Sequence, residues 1–274
     1  MIIDPTKIRE TVDFIKNSGA VKPAFALILG SGLGDVADLL EKPVFLPYSD
    51  IPHFPASSVK GHAGKLAIGS YRGKGILVQV GRAHFYEGLG AERVMYPLWV
   101  MKALGVTTLI NTNSAGGINP SFAGGDLMMV TDFINFMFTN PLIGPNDEKV
   151  GPRFPDMSKP YDAALQETAR QAAKKVGVPL REGVLIGFLG PSYETKAEIA
   201  MAMKLGADAA GMSSIPETIV ANYLGIKLLA ITCISNLVSH TRTAPLTHDE
   251  VTAAGAAASR NLRALIAEIL NQIK

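Results

Sequence analysis

The stretch Gly81-Arg82-Ala83-His84-Phe85-Tyr86-Glu87-Gly88 sets a fixed cation, a titratable imidazole and a phenol within five positions, straight after the apolar run 76–80. If that run is a strand, Arg82, His84 and Tyr86 share one side, because side chains alternate with a period of two. Such a trio suits an anion. Arginine offers a planar fork of donors that matches phosphate or carboxylate, and a neighbouring histidine adds a further donor. A solvated strand end would use the same residues, and the stretch by itself leaves both readings open.

Other segments carry compatible chemistry. Gly30-Ser31-Gly32-Leu33-Gly34 follows the apolar run 25–29 and precedes a brief helix expected over 35–40. Its glycines let backbone amides approach a small anion, with the Ser31 hydroxyl beside them, or they serve a tight turn only. It is a poor dinucleotide fingerprint, because Asp35 stands where the third glycine belongs and would oppose a pyrophosphate. Asn113-Ser114-Ala115-Gly116-Gly117 reads as a second glycine loop after a strand over 107–111. Gly211-Met212-Ser213-Ser214 precedes a helix over 215–224, which places Ser213 near a positive helix end or makes it an ordinary cap. In Gly190-Pro191-Ser192-Tyr193-Glu194-Thr195 a carboxylate and a ring stand before a helix over 195–205, where they could bind the edge and face of a heterocycle or simply begin the helix. Asn236, after Ser235 at the end of a strand over 227–235, offers both donor and acceptor to a ligand or a turn. His62 and His248 complete the polar candidates. The five histidines show no metal-ligand spacing and Cys233 has no partner, so no metal is expected.

These residues need a frame. Asp4-Pro5 reads as a cap followed by a first-turn proline, with Ile8, Val12 and Ile15 marking one face of a helix that ends near Ser18-Gly19. Runs 65–70 and 75–80 flank Tyr71-Arg72-Gly73-Lys74 as a hairpin, and 92–104 has the helical spacing of a segment crossing a sheet face. From 139 to 160 the pattern dissolves into a loop far longer than the usual connection of about four to six residues. Periodicity returns with a helix over 161–177, a strand over 184–188 and a last helix from His248 onward. Strands and helices alternate without a composition break. The expected fold is therefore α/β: one domain over 1–274, with a central mixed β-sheet flanked by helices.

With 274 residues, 47% hydrophobic content, 18% charged residues and a net charge of +2, the chain can bury a large core and lacks the one-signed field of a nucleic-acid or membrane surface. Cys233, inside the apolar stretch 228–234, reads as a buried thiol. No signal-peptide pattern or membrane-spanning run is seen, so a cytoplasmic location is expected.

In this order, the eight segments Gly30 to Gly34, Gly61-His62-Ala63-Gly64, Gly81 to Gly88, Asn113 to Gly117, Arg153-Phe154-Pro155-Asp156-Met157-Ser158, Gly190 to Thr195, Gly211-Met212-Ser213 and Ser235-Asn236 resemble the trimeric class of purine nucleoside phosphorylases. The resemblance spans almost the whole chain. It implies reversible phosphorolysis of purine (deoxy)nucleosides to free base and (deoxy)ribose 1-phosphate, with no cofactor and with inorganic phosphate as co-substrate. By matching position it assigns phosphate to Ser31, His62, Arg82, His84, the Ser114 backbone and Ser213. It assigns ribose to Tyr86, Met212 and His248, the last reaching the 5′-hydroxyl, and gives Phe154 to the ribose site of a neighbouring subunit. The purine falls to Tyr193, Glu194 and Asn236. The catalytic work is expected of Asn236, Glu194 and His84. Asparagine rather than aspartate at 236 implies 6-oxopurines, inosine and guanosine. Two departures are Ser114 where the family commonly has alanine, and Ala83 where phenylalanine is frequent. A methylthioadenosine or methylthioinosine phosphorylase is the nearest alternative, opposed by the imidazole of His248; a nucleoside-binding protein without turnover is another.

Overall fold

In the computed structural model, residues 3–30, 32–56, 64–238 and 248–273 are described, with backbone alone for 248–257. The Asp4 carboxylate accepts from the Thr6 amide at 2.9 Å and starts α1 (Pro5–Asn17), which buries Val12 and Ile15 and half-buries Ile8. The apolar runs become strands β1 (Phe25–Leu29), β3 (Lys65–Tyr71) and β4 (Lys74–Val80). Arg72 and Gly73 join the last two with φ of 49° and 77°, the paired left-handed geometry that a tight hairpin needs. Helix α2 (Ala91–Leu104) carries the chain from β4 across to β5 (Thr108–Gly117), and both strands lie parallel to β1 between them.

Beyond β5 the sheet does something that periodicity alone does not reveal. Strand β5 also pairs in parallel with β9 (Lys227–Leu237), which pairs antiparallel with β6 (Leu127–Asn135). The latter runs parallel to β7 (Leu180–Gly187), then comes β8 (Ala209–Gly211), and β8 returns antiparallel to β5. Half of the sheet thus closes on itself, while β4, β3 and the edge strand β2 (Glu41–Pro47) continue the other half as an open wing. Helices α1, α2 and α5 (Ile215–Tyr223) pack on one face. The other carries α3 (Ala163–Val176), α6 (His248–Gln272) and the short 3₁₀ segment Gly34–Leu39. Helix α4 (Lys196–Lys204) covers β7 and β8 with Ala202. The α/β class with a mixed sheet is as expected, as is the absence of a regular element between β6 and α3.

Three local expectations are corrected. Asn113 to Gly117 is not a loop but the second half of β5, in register with β9 as far as Gly117 opposite Leu237. Its glycines serve packing: a Cβ at Gly116 would come within 2.7 Å of Val238, and one at Gly117 within 2.8 Å of Ile234. Strand alternation does not place Arg82, His84 and Tyr86, because β4 ends at Val80 and Gly81, at φ 84°, turns the chain before them. The strands β2, β6 and β8 are additional to those expected. The first is a mostly exposed edge strand containing Pro43, and the last is three residues long and gains its partners only in the closed sheet.

Candidate active site

Strands β4, β1, β5 and β9 run parallel, so their carboxyl ends lie together, and the ends of β7 and β8 face them. Ligand sites in open α/β sheets form at such ends. An open cleft of about 730 Å³, its mouth included, lies here. Arg82, His84, Tyr86, Ser114, Tyr193, Glu194, Met212, Ser213 and Asn236 all line it. Residues from five separate segments of sequence therefore share one cavity. Ser31 and His62 lie outside the described residues, as does the side chain of His248, whose backbone opens α6. Phe154 does not join the cleft; it stands 86% exposed in the long loop, with the Arg153 guanidinium 5.6 Å from its ring.

The Arg82 side chain is buried and tightly held. Its Nη1 donates to Asn111 Oδ1 at 3.0 Å and to Glu217 Oε1 at 2.9 Å, and Nη2 donates to the Thr112 carbonyl. Thr112 also ties β1 to β5, since its hydroxyl donates to Ile28 O at 2.9 Å and accepts from the Gly30 amide at 3.3 Å. At Gly30 a Cβ would lie 2.8 Å from Asn113 Cα, so glycine is needed for the two strand ends to approach. On the turn after β4, Glu87 Oε1 accepts from the His84 amide at 2.7 Å and lies 3.1 Å from Nδ1. A carboxylate only accepts, so Nδ1 carries a hydrogen in this pairing and the ring orientation is fixed. The His84 and Tyr86 rings stack at 4.7 Å and 12°. Burial, and secondarily Glu87, pushes the Tyr86 phenol up to about 12 against the opposing charge of Arg82, so it stays a neutral donor. Ser213 stands just before α5, whose cap Ser214 takes a left-handed φ of 71°.

Asn236, Glu194 and Tyr193 bring an amide, a carboxylate and an aromatic ring to the same cleft. Ser235 Oγ donates to Asn236 Oδ1 at 2.7 Å, which orients the amide. Its Nδ2 is buried in the cleft lining and has no hydrogen-bond partner among the described residues. Buried donors are ordinarily satisfied, so an orphaned one on a cavity wall marks a place where a ligand acceptor belongs. Burial raises the Glu194 carboxyl above its ordinary range; its backbone hydrogen bond opposes this and Glu198 adds to it. Tyr193, half-exposed, contributes a ring at the mouth. Among the described residues no three His, Cys, Asp or Glu side chains gather as a metal site would require, and no helix is long and apolar enough to cross a membrane.

Sequence reasoning did not single out Asn111 or Glu217, the two side chains that hold Arg82. Both left a signal: an amide inside the apolar strand run 107–111, and a carboxylate inside the apolar helix run 215–224. Charged and amide groups at such positions are rarely buried without a partner.

Comparison with known proteins gives this α/β frame and its cleft a family. The sequence model of the phosphorylase superfamily matches residues 24–271. Purine nucleoside phosphorylase 1 of Bacillus subtilis is 52% identical over 245 residues, covering 89% of this chain and 90% of that relative. The purine nucleoside phosphorylase of Rattus norvegicus is 40% identical over 272 residues, covering 97% and 94%. Among solved structures, Schistosoma mansoni purine nucleoside phosphorylase in complex with inosine is 34% identical with a TM-score of 0.93, covering 98% of this chain and 97% of that one. Its complex with adenosine also has a TM-score of 0.93, at 35% identity and 97% coverage of each chain. The chain belongs to the phosphorylase superfamily, a family of enzymes, and within it to the purine nucleoside phosphorylases.

Proposed function

We propose that the protein catalyses reversible phosphorolysis of purine nucleosides and prefers 6-oxopurines. The observation that carries this reading is the orphaned Asn236 donor facing the same cleft as Glu194 and the Arg82, His84 and Ser213 cluster. Breaking the glycosidic bond leaves positive charge on the sugar ring and negative charge on the departing purine. Asn236 Nδ2 donates to N7 and stabilises the leaving base, while the Glu194 carboxylate accepts from N1–H and from a 2-amino group. Phosphate, held by Arg82, His84, Ser213 and the Ser114 backbone, stabilises the cationic sugar and captures C1′. Holding both reactants in one cleft removes much of the entropic cost of a bimolecular step. Donors aimed at developing charge supply most of the rest. Phosphate is the co-substrate and no organic cofactor is required. The Schistosoma mansoni relative is known in complex with inosine and with adenosine; the preference proposed for this chain rests on the amide of Asn236.

The test is incubation of purified protein with inosine, with and without phosphate. Hypoxanthine and ribose 1-phosphate should form only when phosphate is present, and adenosine should react poorly. Release of base without phosphate would overturn the reading in favour of hydrolysis, and no release from any purine nucleoside would favour simple binding.

The resemblance also gives Phe154 a role in a homotrimer, where it completes the ribose site of the next subunit. Its 86% exposure, together with Phe138 at 88% and Ile143 at 71%, supports a covered surface here. Phe154→Ala should raise KM for inosine about tenfold, the scale of one lost aromatic contact, and leave KM for phosphate unchanged. An unchanged inosine KM, measured by steady-state kinetics on protein of known sedimentation mass, would remove Phe154 from the site.

A further inference from the structure

We propose that Glu217 and Asn111 are positioning residues that set the charge, and thereby the phosphate affinity, of the Arg82 subsite. The inference rests on the phosphate-binding reading above. Both hydrogens of Nη1 are directed at these two acceptors, Asn111 Oδ1 at 3.0 Å and Glu217 Oε1 at 2.9 Å, and the side chains of Arg82 and Glu217 are only 3% and 7% exposed. With Nη2 also fixed on the Thr112 carbonyl, the guanidinium plane is set before any anion arrives. Three buried acceptors on one end leave the arginine no freedom to pivot about its long stem.

Charge adds a second consequence. Arg82 faces Glu217, and His84 faces Glu87 at 3.1 Å, so each basic side chain of the described phosphate end carries its own carboxylate. An incoming phosphate therefore meets a paired guanidinium at Arg82 and a carboxylate-backed imidazole at His84 rather than a bare cation. Glu217 offsets the guanidinium charge when the subsite is empty and opposes the phosphate charge when it is filled. Affinity is lowered, and an anionic product leaves more readily. Asn111 accepts the same kind of bond without charge, and its Nδ2 reaches the Ser214 carbonyl at 3.4 Å, tying the arginine to the start of α5.

Charge-changing substitutions that keep an acceptor separate this role from mere support. Glu217→Gln retains the Oε1 acceptor and removes one negative charge. It should bind inorganic phosphate about tenfold tighter, the scale of one partly screened charge interaction. Its thermal midpoint without phosphate should fall, and the rise produced by phosphate should be larger than in the unsubstituted protein, because the anion now supplies the missing countercharge. Asn111→Asp adds a negative charge and should move phosphate KM up by about the same factor with the inosine KM unchanged. A purely structural role would weaken phosphate binding in both variants or in neither. Equal or weaker phosphate binding by Glu217→Gln overturns the proposal; if that variant does not fold, unchanged or tighter binding by Asn111→Asp does so. Absence of saturable phosphate binding by the unsubstituted protein would overturn both this proposal and the phosphorylase reading, whereas normal binding without the opposed shifts would overturn this one alone.

Discussion

Replacing Asn236 with alanine should lower kcat/KM for inosine by about a hundredfold to a thousandfold, the loss expected when one preorganised donor is removed from developing negative charge. The loss should fall mainly on kcat, because a bond to N7 strengthens as the purine departs, and an interaction stronger in the transition state governs the chemical step. Stability should not fall with it. Nδ2 has no partner among the described residues, and Ser235 Oγ, which now donates to Asn236 Oδ1 at 2.7 Å, keeps the Ala115 carbonyl at 3.2 Å as an alternative acceptor. Deleting a buried orphan removes a desolvation penalty rather than a bond. Asn236→Asp carries the argument to specificity. A carboxylate cannot donate to a 6-oxo group but accepts from a 6-amino group, so the adenosine to inosine ratio of kcat/KM should rise. Steady-state rates with both nucleosides and one thermal melt decide the matter, and an unchanged ratio would remove Asn236 from base recognition.

The sequence-readable part of this site is the part whose chemistry is local. The hairpin was legible because Arg72-Gly73 is a tight-turn pair between two apolar runs, and α1 because Asp4-Pro5 caps a periodic face. Tyr193, Glu194, Met212, Ser213 and Asn236 were legible because each stands at a junction between a strand or turn and a helix, or at a strand end. What stayed hidden depends on distant partners. Gly116 and Gly117 look like loop residues, yet they are glycines because β9 and its continuation press against β5. Closure of the sheet through β8 involves a three-residue strand with no sequence signal of its own. Arg82 and His84 meet in the cleft because Gly81 turns the chain, and not because a strand continues. Glu217 lies 135 positions from Arg82, and such a pairing is invisible to any reading by local spacing.

Glu194 should make base binding depend on pH in a direction fixed by its burial. The carboxylate must be ionised to accept from N1–H of hypoxanthine or guanine. Because burial raises its pKa, the ionised fraction begins to fall at a higher pH than for an exposed glutamate, and affinity for the base falls with it as the solution is acidified. The bound base opposes this shift, since its N–H groups favour the charged carboxylate. The acid limb of kcat/KM, which reports the free enzyme, should therefore lie above the acid limb of kcat, which reports the complex. Glu194→Gln removes both the charge and the titration. A hydrogen bond to a charged group contributes about 1.5–3 kcal/mol, so the variant should lose roughly tenfold to a hundredfold in kcat/KM for inosine. Guanosine should lose more, because its 2-amino group offers a second donor to the same carboxylate. Hypoxanthine binding without phosphate isolates this group from the His84 and Glu87 pair. Calorimetric titration across the acid range should show affinity rising with pH in the unsubstituted protein and flat in Glu194→Gln. An acid limb of the same size in both would mean that another group controls base binding, and the carboxylate would then have no part in reading the purine edge.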